Sequence, residues 1–309
     1  MIVTITPNPS IDRTLRIPPL VRGSLVRATS STAEAGGKGV NVSRVLAAQG
    51  QPTVAVVPLS DASAAVFRSL LDGMTPIDAV PIRGEVRVNV SLVEDDGTVT
   101  KVNEAGPRLS EEEVEALLGR TVDLAAGARW VVGSGALPPG VGSDFYARLA
   151  RSVPPRVRVA VDADGAPLRA ALGQGLALIK PNHHELEALA GRQLSTLGDV
   201  IAAATDVVAG GTAAVLASLG PDGAVYVDRE GATHAEARFD DVVNTVGAGD
   251  ALLAGFLAAG GGRDGLGMAV AWSVAACRSP GTVARPVTEA DLRVVTVHDG
   301  AAAARRLAA

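Results

Sequence analysis

Short β-branched and aliphatic runs alternate along this chain with longer stretches of helical period, and no other feature narrows its fold as much. Residues 3–6, 54–58, 130–134, 157–162, 176–180, 214–218 and 223–227 read as strands. Several are continuous apolar runs, the pattern of strands covered on both faces. Residues 40–49, 62–72, 110–126, 143–151, 184–190 and 199–209 read as helices. Ser110 followed by Glu111, Glu112 and Glu113 supplies a capping hydroxyl, a carboxylate three residues on and acid in the first helical turn. Such alternation predicts an α/β fold built on a parallel sheet.

Two segments break the pattern. Residues 85–103 alternate polar and apolar side chains around Asp96-Gly97, which predicts a β-hairpin. Residues 12–34 add short β-prone pieces without a helical period. Together they predict a small sheet standing off the main body as a lid. No repeat, low-complexity linker or Pro-rich hinge divides the chain, so residues 1–309 are expected to form one domain.

Composition removes several classes of function. The chain is 47% hydrophobic and 20% charged, with a formal net charge of −5 and no long Lys/Arg run. That excludes wholesale disorder and argues against a coat for nucleic acid or an anionic membrane. No apolar stretch approaches the roughly 20 residues of a bilayer crossing, and residues 1–7 lack the features of a signal peptide. Cys277 stands alone, so no intramolecular disulfide is expected, and a cytoplasmic setting fits. With aromatics at 3%, the core must come from Val, Leu, Ile and Ala, which favours helices packed on sheets.

The chemistry concentrates in two glycine-rich segments that open helices. Residues 244–250 read Asn-Thr-Val-Gly-Ala-Gly-Asp and run into an apolar helix. Glycines at a helix start leave N–H groups free to converge on an anion, and Asp250 in the first turn can act on a hydroxyl beside it. Phosphoryl transfer needs that pair of functions. Read alone, the segment serves equally as a turn with Asp250 capping a helix. It is neither a Rossmann nor a P-loop signature. Residues 35–42 read Ala-Gly-Gly-Lys-Gly-Val-Asn-Val. Lys38 offers a positive point charge and Asn41 a two-sided amide, which suits a sugar phosphate; a loop with a solvated lysine is the simpler alternative.

Further polar clusters fall at the ends of expected strands, where open α/β sheets bind ligands. These are residues 6–12, 134–140, 180–185 and 218–223. Arg87 shares a strand face with Asn89 and is either a surface ion-pair residue or a second phosphate clamp. His183 and His184 are adjacent and make a poor metal pair, and no G-x-S-x-G hydrolase elbow occurs.

The ordered set of motifs resembles the ribokinase-like (PfkB) carbohydrate kinases over nearly the whole chain. Gly36-Gly37-Lys38-Gly39-Val40-Asn41 and Thr245-Val246-Gly247-Ala248-Gly249-Asp250 match the two family signatures. Ser134-Gly135-Ala136-Leu137-Pro138, Lys180-Pro181-Asn182-x-x-Glu185 and Ser218-Leu219-Gly220-x-x-Gly223 follow in family order. Within the family the chain is most similar to the branch acting on phosphorylated ketohexoses, the 1-phosphofructokinases and tagatose-6-phosphate kinases. The resemblance implies a three-layer α/β/α core with a β lid and an ATP- and Mg²⁺-dependent transfer to a sugar phosphate. It makes Asp250 the base and Gly247, Ala248 and Gly249 the anion hole. Asp12, Gly37, Asn41 and Asn89 would face the sugar, and Lys38 and Arg87 its existing phosphate. Lys180, Asn182, Ser218, Gly220 and Gly223 would line the ATP site, with Asn182 and Glu185 near the Mg²⁺ water shell. Members often dimerise through the lid, and the same is expected here. The pairing of Lys38 with Arg87 favours fructose 1-phosphate as acceptor; a tagatose-6-phosphate kinase or 6-phosphofructokinase of the same family, and a regulator that binds without turnover, are the rivals. Ala136 replaces a serine usual in the family, and Leu59-Ser60-Asp61 replaces its Gly-Gly after the second long strand.

Overall fold

The computed structural model describes residues 1–71, 73–282, 285–299 and 302–308, excluding the side chain of Asp299. Among these residues ten strands form one sheet. Its order across the molecule is Val295–Asp299, Gly231–Ala237, Ala224–Asp228, Ala214–Ser218, Leu178–Ile179, Arg158–Asp162, Trp130–Ser134, Ile2–Ile5, Thr53–Leu59, Ile77–Pro81. From Ala214–Ser218 to Ile77–Pro81 neighbouring strands run parallel. The three strands beyond Ala214–Ser218 add on antiparallel.

Period-two alternation puts the apolar side chains of each inner strand on both faces. Val3, Ile5, Val131, Val159, Val161, Ile179 and Val215 pack on one side with helices Glu111–Ala125, Phe145–Ser152 and Leu197–Ala209. Ile2, Trp130, Val132, Leu178 and Leu216 pack on the other with helices Lys38–Ala48, Ala248–Ala258 and Leu266–Cys277. The last two helices carry little amphipathic pattern because they are covered on nearly all sides, by the sheet and by each other.

A second sheet holds Ser30–Gly36, Ser10–Ile17, Arg87–Glu94 and Val99–Asn103, in that order. Its outer pairs are antiparallel and its central pair parallel. The segments expected at 12–34 and 85–103 therefore meet in one sheet. Ser10–Ile17 begins four residues past the central strand Ile2–Ile5, and Ser30–Gly36 runs directly into the helix Lys38–Ala48. The small sheet is thus rooted at the carboxyl end of the central strand.

Most expected elements form with end shifts of no more than two residues. The helix expected over 62–72 is Asp61–Leu70, and Asp72 lies outside the described residues. The strand expected over 176–180 shortens to Leu178–Ile179. Strands Ile77–Pro81, Gly231–Ala237 and Val295–Asp299 and helix Gly165–Ala171 were not expected. Gly-Ala-Thr-His-Ala-Glu-Ala is weak in strand formers, and its pairing with Ala224–Asp228 supplies what propensity lacks.

The helix pair beside the sheet depends on close backbone approach. A Cβ on Gly255 would stand 2.7 Å from Cγ of Trp272. Gly255→Val should therefore overpack this contact and cost about 1–3 kcal/mol despite the better helix propensity of valine. Urea unfolding should show a lower midpoint with an unchanged slope; an unchanged midpoint would show that the Trp272 contact yields freely.

Candidate active site

The strand order reverses at Ile2–Ile5, which has Thr53–Leu59 on one flank and Trp130–Ser134 on the other. In open α/β sheets such a reversal opens a crevice at the carboxyl ends of the strands. The expected site residues gather there.

Asp162, the last residue of its strand, is fully buried and anchors the centre of the crevice. Its Oδ1 accepts from Lys38 Nζ at 2.8 Å, and Oδ2 lies 3.1 Å from Lys180 Nζ. Burial alone would raise a carboxyl, but the two ammonium groups outweigh it and hold Asp162 below its ordinary value. Burial alone would likewise lower Lys38, yet Asp162 and Glu185 hold it raised. Glu185 Oε1 stands 3.4 Å from the same ammonium.

Asp250 lies in the first turn of Ala248–Ala258 and is buried. Asn41 Nδ2, from the first helical turn of Lys38–Ala48, donates to Asp250 Oδ2 at 2.9 Å. Burial, followed by the like charge of Asp162, pushes Asp250 up to about 7. The helix begins at Gly247, whose φ of 82° is left-handed and whose Cβ would stand 2.9 Å from the Thr282 carbonyl, so the turn requires glycine. Lys180 Nζ is 3.6 Å from where a Cβ on Gly249 would lie, so its charge sits against the 247–249 turn. Within that turn the Ala248 N–H is directed at the Thr245 carbonyl, 3.3 Å away. Ala248 must give up this long bond to donate to an anion.

On the lid side Asp12 Oδ1 accepts from Ser10 Oγ at 2.7 Å and from Asn89 Nδ2 at 2.9 Å. Asp12 pairs in register with Asn89, and Ser10 with Arg87 and Gly36. Gly37 caps the helix that Lys38 begins, placing the lid root and the lysine side by side. Arg87 donates to the Glu104 carbonyl at 3.2 Å while Lys38 faces Asp162 and Glu185, so the two expected clamps have different partners.

Several buried polar atoms here have no hydrogen-bond partner among the described residues: Asn8 Oδ1, Asn41 Oδ1, Arg87 Nε, Asn89 Oδ1 and Ser134 Oγ. Unmatched buried groups are rare in folded proteins, and those of Asn41, beside Asp250, and of Asn89, beside Asp12, suit a polar ligand. On the far side Ser218 bridges to Asn182, and its N–H donates to the Pro181 carbonyl at 3.0 Å. That brings Lys180, Asn182, Ser218 and the turn Gly220–Asp222 together. Asn182 and Glu185 form a reciprocal cap on helix His183–Ala190, each side chain accepting from the other's N–H at 2.8 Å.

Sequence reasoning did not assign Asp162 or Asn8 a role. The signal for Asp162 was a carboxylate closing an apolar strand at the ligand end of the sheet. Where the family's Gly-Gly was missing, Ser60 caps helix Asp61–Leu70 and, with Ser63, holds Glu85 at 2.9 and 2.5 Å, at the entry to Arg87–Glu94. Ala136 is exposed just beyond Trp130–Ser134.

The chain is similar to known sugar kinases. Curated relatives named 1-phosphofructokinase match at 32–37% identity. That of Borreliella burgdorferi is 34% identical over 83% of this chain and 84% of its own length. The crystal structure of phosphofructokinase-2 from Escherichia coli in complex with substrates and products superposes with a TM-score of 0.84 at 31% identity, covering 94% of this chain and 97% of that one. An Arabidopsis thaliana ribokinase complexed with ribose and ATP shares the fold, with a TM-score of 0.76 at 22% identity over 95% of this chain and 97% of that one. The model of the pfkB family carbohydrate kinases matches residues 3–284, and with those relatives it establishes that the chain belongs to this family of ATP-dependent sugar kinases.

Proposed function

We propose that this chain is a 1-phosphofructokinase, which transfers the γ-phosphoryl group of ATP to the free primary hydroxyl of fructose 1-phosphate, giving fructose 1,6-bisphosphate and ADP. The observation that carries the reading is Asp250: buried, held by Asn41, pushed up to about 7, and set beside a glycine turn backed by Lys180. A base with that affinity for a proton is matched to neutral pH.

Each residue follows from its place. Asn41 spends its amide N–H on Asp250 and keeps Oδ1 unmatched. A sugar hydroxyl donating to Asn41 Oδ1 is thereby held next to the carboxylate that takes its proton. Asp12, Asn89 and the backbone at Gly37 take other hydroxyls. Arg87 and Lys38 hold the phosphate already on the sugar; an ammonium has three donors, so Lys38 shares itself between Asp162 and the substrate. The N–H groups of Gly247, Ala248 and Gly249, with Lys180, receive the charge of the moving phosphoryl group. Asn182, Ser218, Gly220 and Gly223 line the nucleotide.

Among the described residues no group of three or more His, Cys, Asp or Glu could cage a metal. Asn182 Oδ1 and Glu185 Oε2 are each engaged by one N–H in the helix cap and Glu185 Oε1 stands 3.4 Å from Lys38 Nζ, so their remaining lone pairs would meet Mg²⁺ arriving with the triphosphate through its water shell. When bound, Mg²⁺ supplies charge neutralisation on the phosphate oxygens.

The whole chain acts as one kinase domain, with the small sheet as a lid that excludes water from the reaction. Leu20, Val21, Leu25, Val99 and Val102 are exposed in that sheet and its connections, which supports a homodimer joined through the lid. No helix among the described residues is long and apolar enough to cross a membrane, and half-buried Cys277 needs no oxidising compartment; we place the enzyme in the cytoplasm.

Asp250→Asn should lower kcat by about 10²–10⁴-fold with KM for the sugar phosphate little changed. A kcat within tenfold of wild type would remove Asp250 from the role of base. Coupled ADP release should favour fructose 1-phosphate in kcat/KM over fructose 6-phosphate, tagatose 6-phosphate, fructose, ribose and adenosine. Preference for either 6-phosphate would move the chain to a neighbouring specificity, and turnover of uncharged acceptors alone would overturn the Arg87 and Lys38 clamp.

A further inference from the structure

Residues 302–308 lie beyond the span matched by the family model, yet they reach the loop over the nucleotide groove. The segment is pinned to the start of helix Leu197–Ala209. Leu197 N–H donates to the Arg305 carbonyl at 2.9 Å, Gly198 N–H to the Ala303 carbonyl at 2.9 Å, and Leu307 N–H to the Ser195 carbonyl at 3.1 Å. From that footing Arg305 Nη2 donates to Asp222 Oδ1 at 3.0 Å and to Glu236 Oε2 at 2.9 Å. The Ala308 N–H closes on Asp222 Oδ2 at 2.6 Å.

The two carboxylates belong to different, adjacent elements. Asp222 ends the turn Gly220–Asp222, and Glu236 lies in strand Gly231–Ala237. Between them Gly223, at a φ of 82°, packs so tightly on the backbone of Ala235 and Glu236 that no Cβ would fit. Both carboxylate side chains are 10% exposed, so without a shared cation they would repel across a poorly solvated gap. The bond from Arg305 is the foremost cause holding Glu236 down at about 2. The His234 ring, bonded to the Asp222 carbonyl at 2.7 Å, fixes the turn from the strand side.

We propose that Arg305 is a positioning residue for the nucleotide: by bridging Asp222 to Glu236 it holds the 218–223 loop against the adjacent strand, in the conformation that receives ATP. The inference rests on the reading that this loop lines the ATP site, and Arg305 itself touches no reacting atom.

The test is titration calorimetry of a non-hydrolysable ATP analogue with the full chain, at low salt and at about 0.5 M salt, where long-range charge effects are screened. Wild type, Arg305→Ala and Arg305→Lys are compared, with kcat and both KM values measured alongside. Arg305→Ala should weaken analogue binding about tenfold at both salt concentrations, raise KM for ATP in step, and leave kcat and KM for the sugar phosphate within about twofold. Arg305→Lys should recover part of the loss. Unchanged affinity in Arg305→Ala, or a loss that disappears at high salt, would overturn the positioning role while leaving the kinase reading intact. If wild type binds the analogue but phosphorylates no sugar phosphate, the proposed function fails and the affinity comparison still decides for or against Arg305. Wild type without affinity for the analogue would overturn both.

Discussion

A carboxylate removed from water and held between two ammonium groups sets the geometry of this crevice. Asp162 is fully buried, and an ionised acid there is tolerable only because Lys38 and Lys180 lie at 2.8 and 3.1 Å. The three residues come from distant parts of the chain, Lys38 and Asp162 being 124 positions apart. Satisfying one buried charge therefore fixes helix Lys38–Ala48, strand Arg158–Asp162 and the segment after Leu178–Ile179 relative to one another. The same cluster reaches Asp250. Asp162 adds to burial in pushing that carboxyl up, while Lys180 and Lys38 pull it down, so its affinity for a proton is a balance struck by the cluster.

The topology explains why this balance stands at a ligand site. Seven parallel strands end on one side, and the order reverses at Ile2–Ile5. The chain leaving that strand enters the lid, and the lid strand Ser30–Gly36 returns into the helix bearing Lys38 and Asn41. Asp12 on the lid and Lys38 and Asn41 on the helix after it are thus tied to the central strand through the lid, while Asp162, Lys180 and Asp250 reach the same place from distant parts of the chain. Asn8, Asn41, Arg87, Asn89 and Ser134 each keep a buried polar atom without a partner among the described residues. The 218–223 side is fastened separately, through the Asn182–Ser218 bridge and the Arg305 contacts.

Much of this was legible in the sequence because local rules and tertiary demands agree. Trp130–Ser134 and Ala214–Ser218 form at the expected bounds, being apolar runs that only a doubly covered sheet can bury. Glycines at 37 and 247 announced helix starts, and each is one. Where the rules disagree the sequence was silent. Gly231–Ala237 is a strand through its partners, and Leu266–Cys277 is apolar on every side, so neither shows the period that gives an element away. Asp162 was hidden for a different reason. A lone acid at the end of an apolar run resembles any strand terminus, and its meaning lies in two lysines that only the fold brings near. The capping box of Asn182 and Glu185 shows the converse, since residues singled out for metal chemistry also perform an ordinary helix-start task.

The charge of Asp162 raises the proton affinity of Asp250 beyond what burial alone gives it. The most direct measurement is the pH dependence of kcat/KM for the sugar phosphate in wild type and in Asp162→Asn. In wild type the rate should rise with pH through about 7 as Asp250 loses its proton. Replacing Asp162 removes the neighbouring negative charge and leaves Lys38 and Lys180 to favour the ionised form, so the acid limb should move to lower pH. A limb that stays in place, or moves to higher pH, would contradict the account.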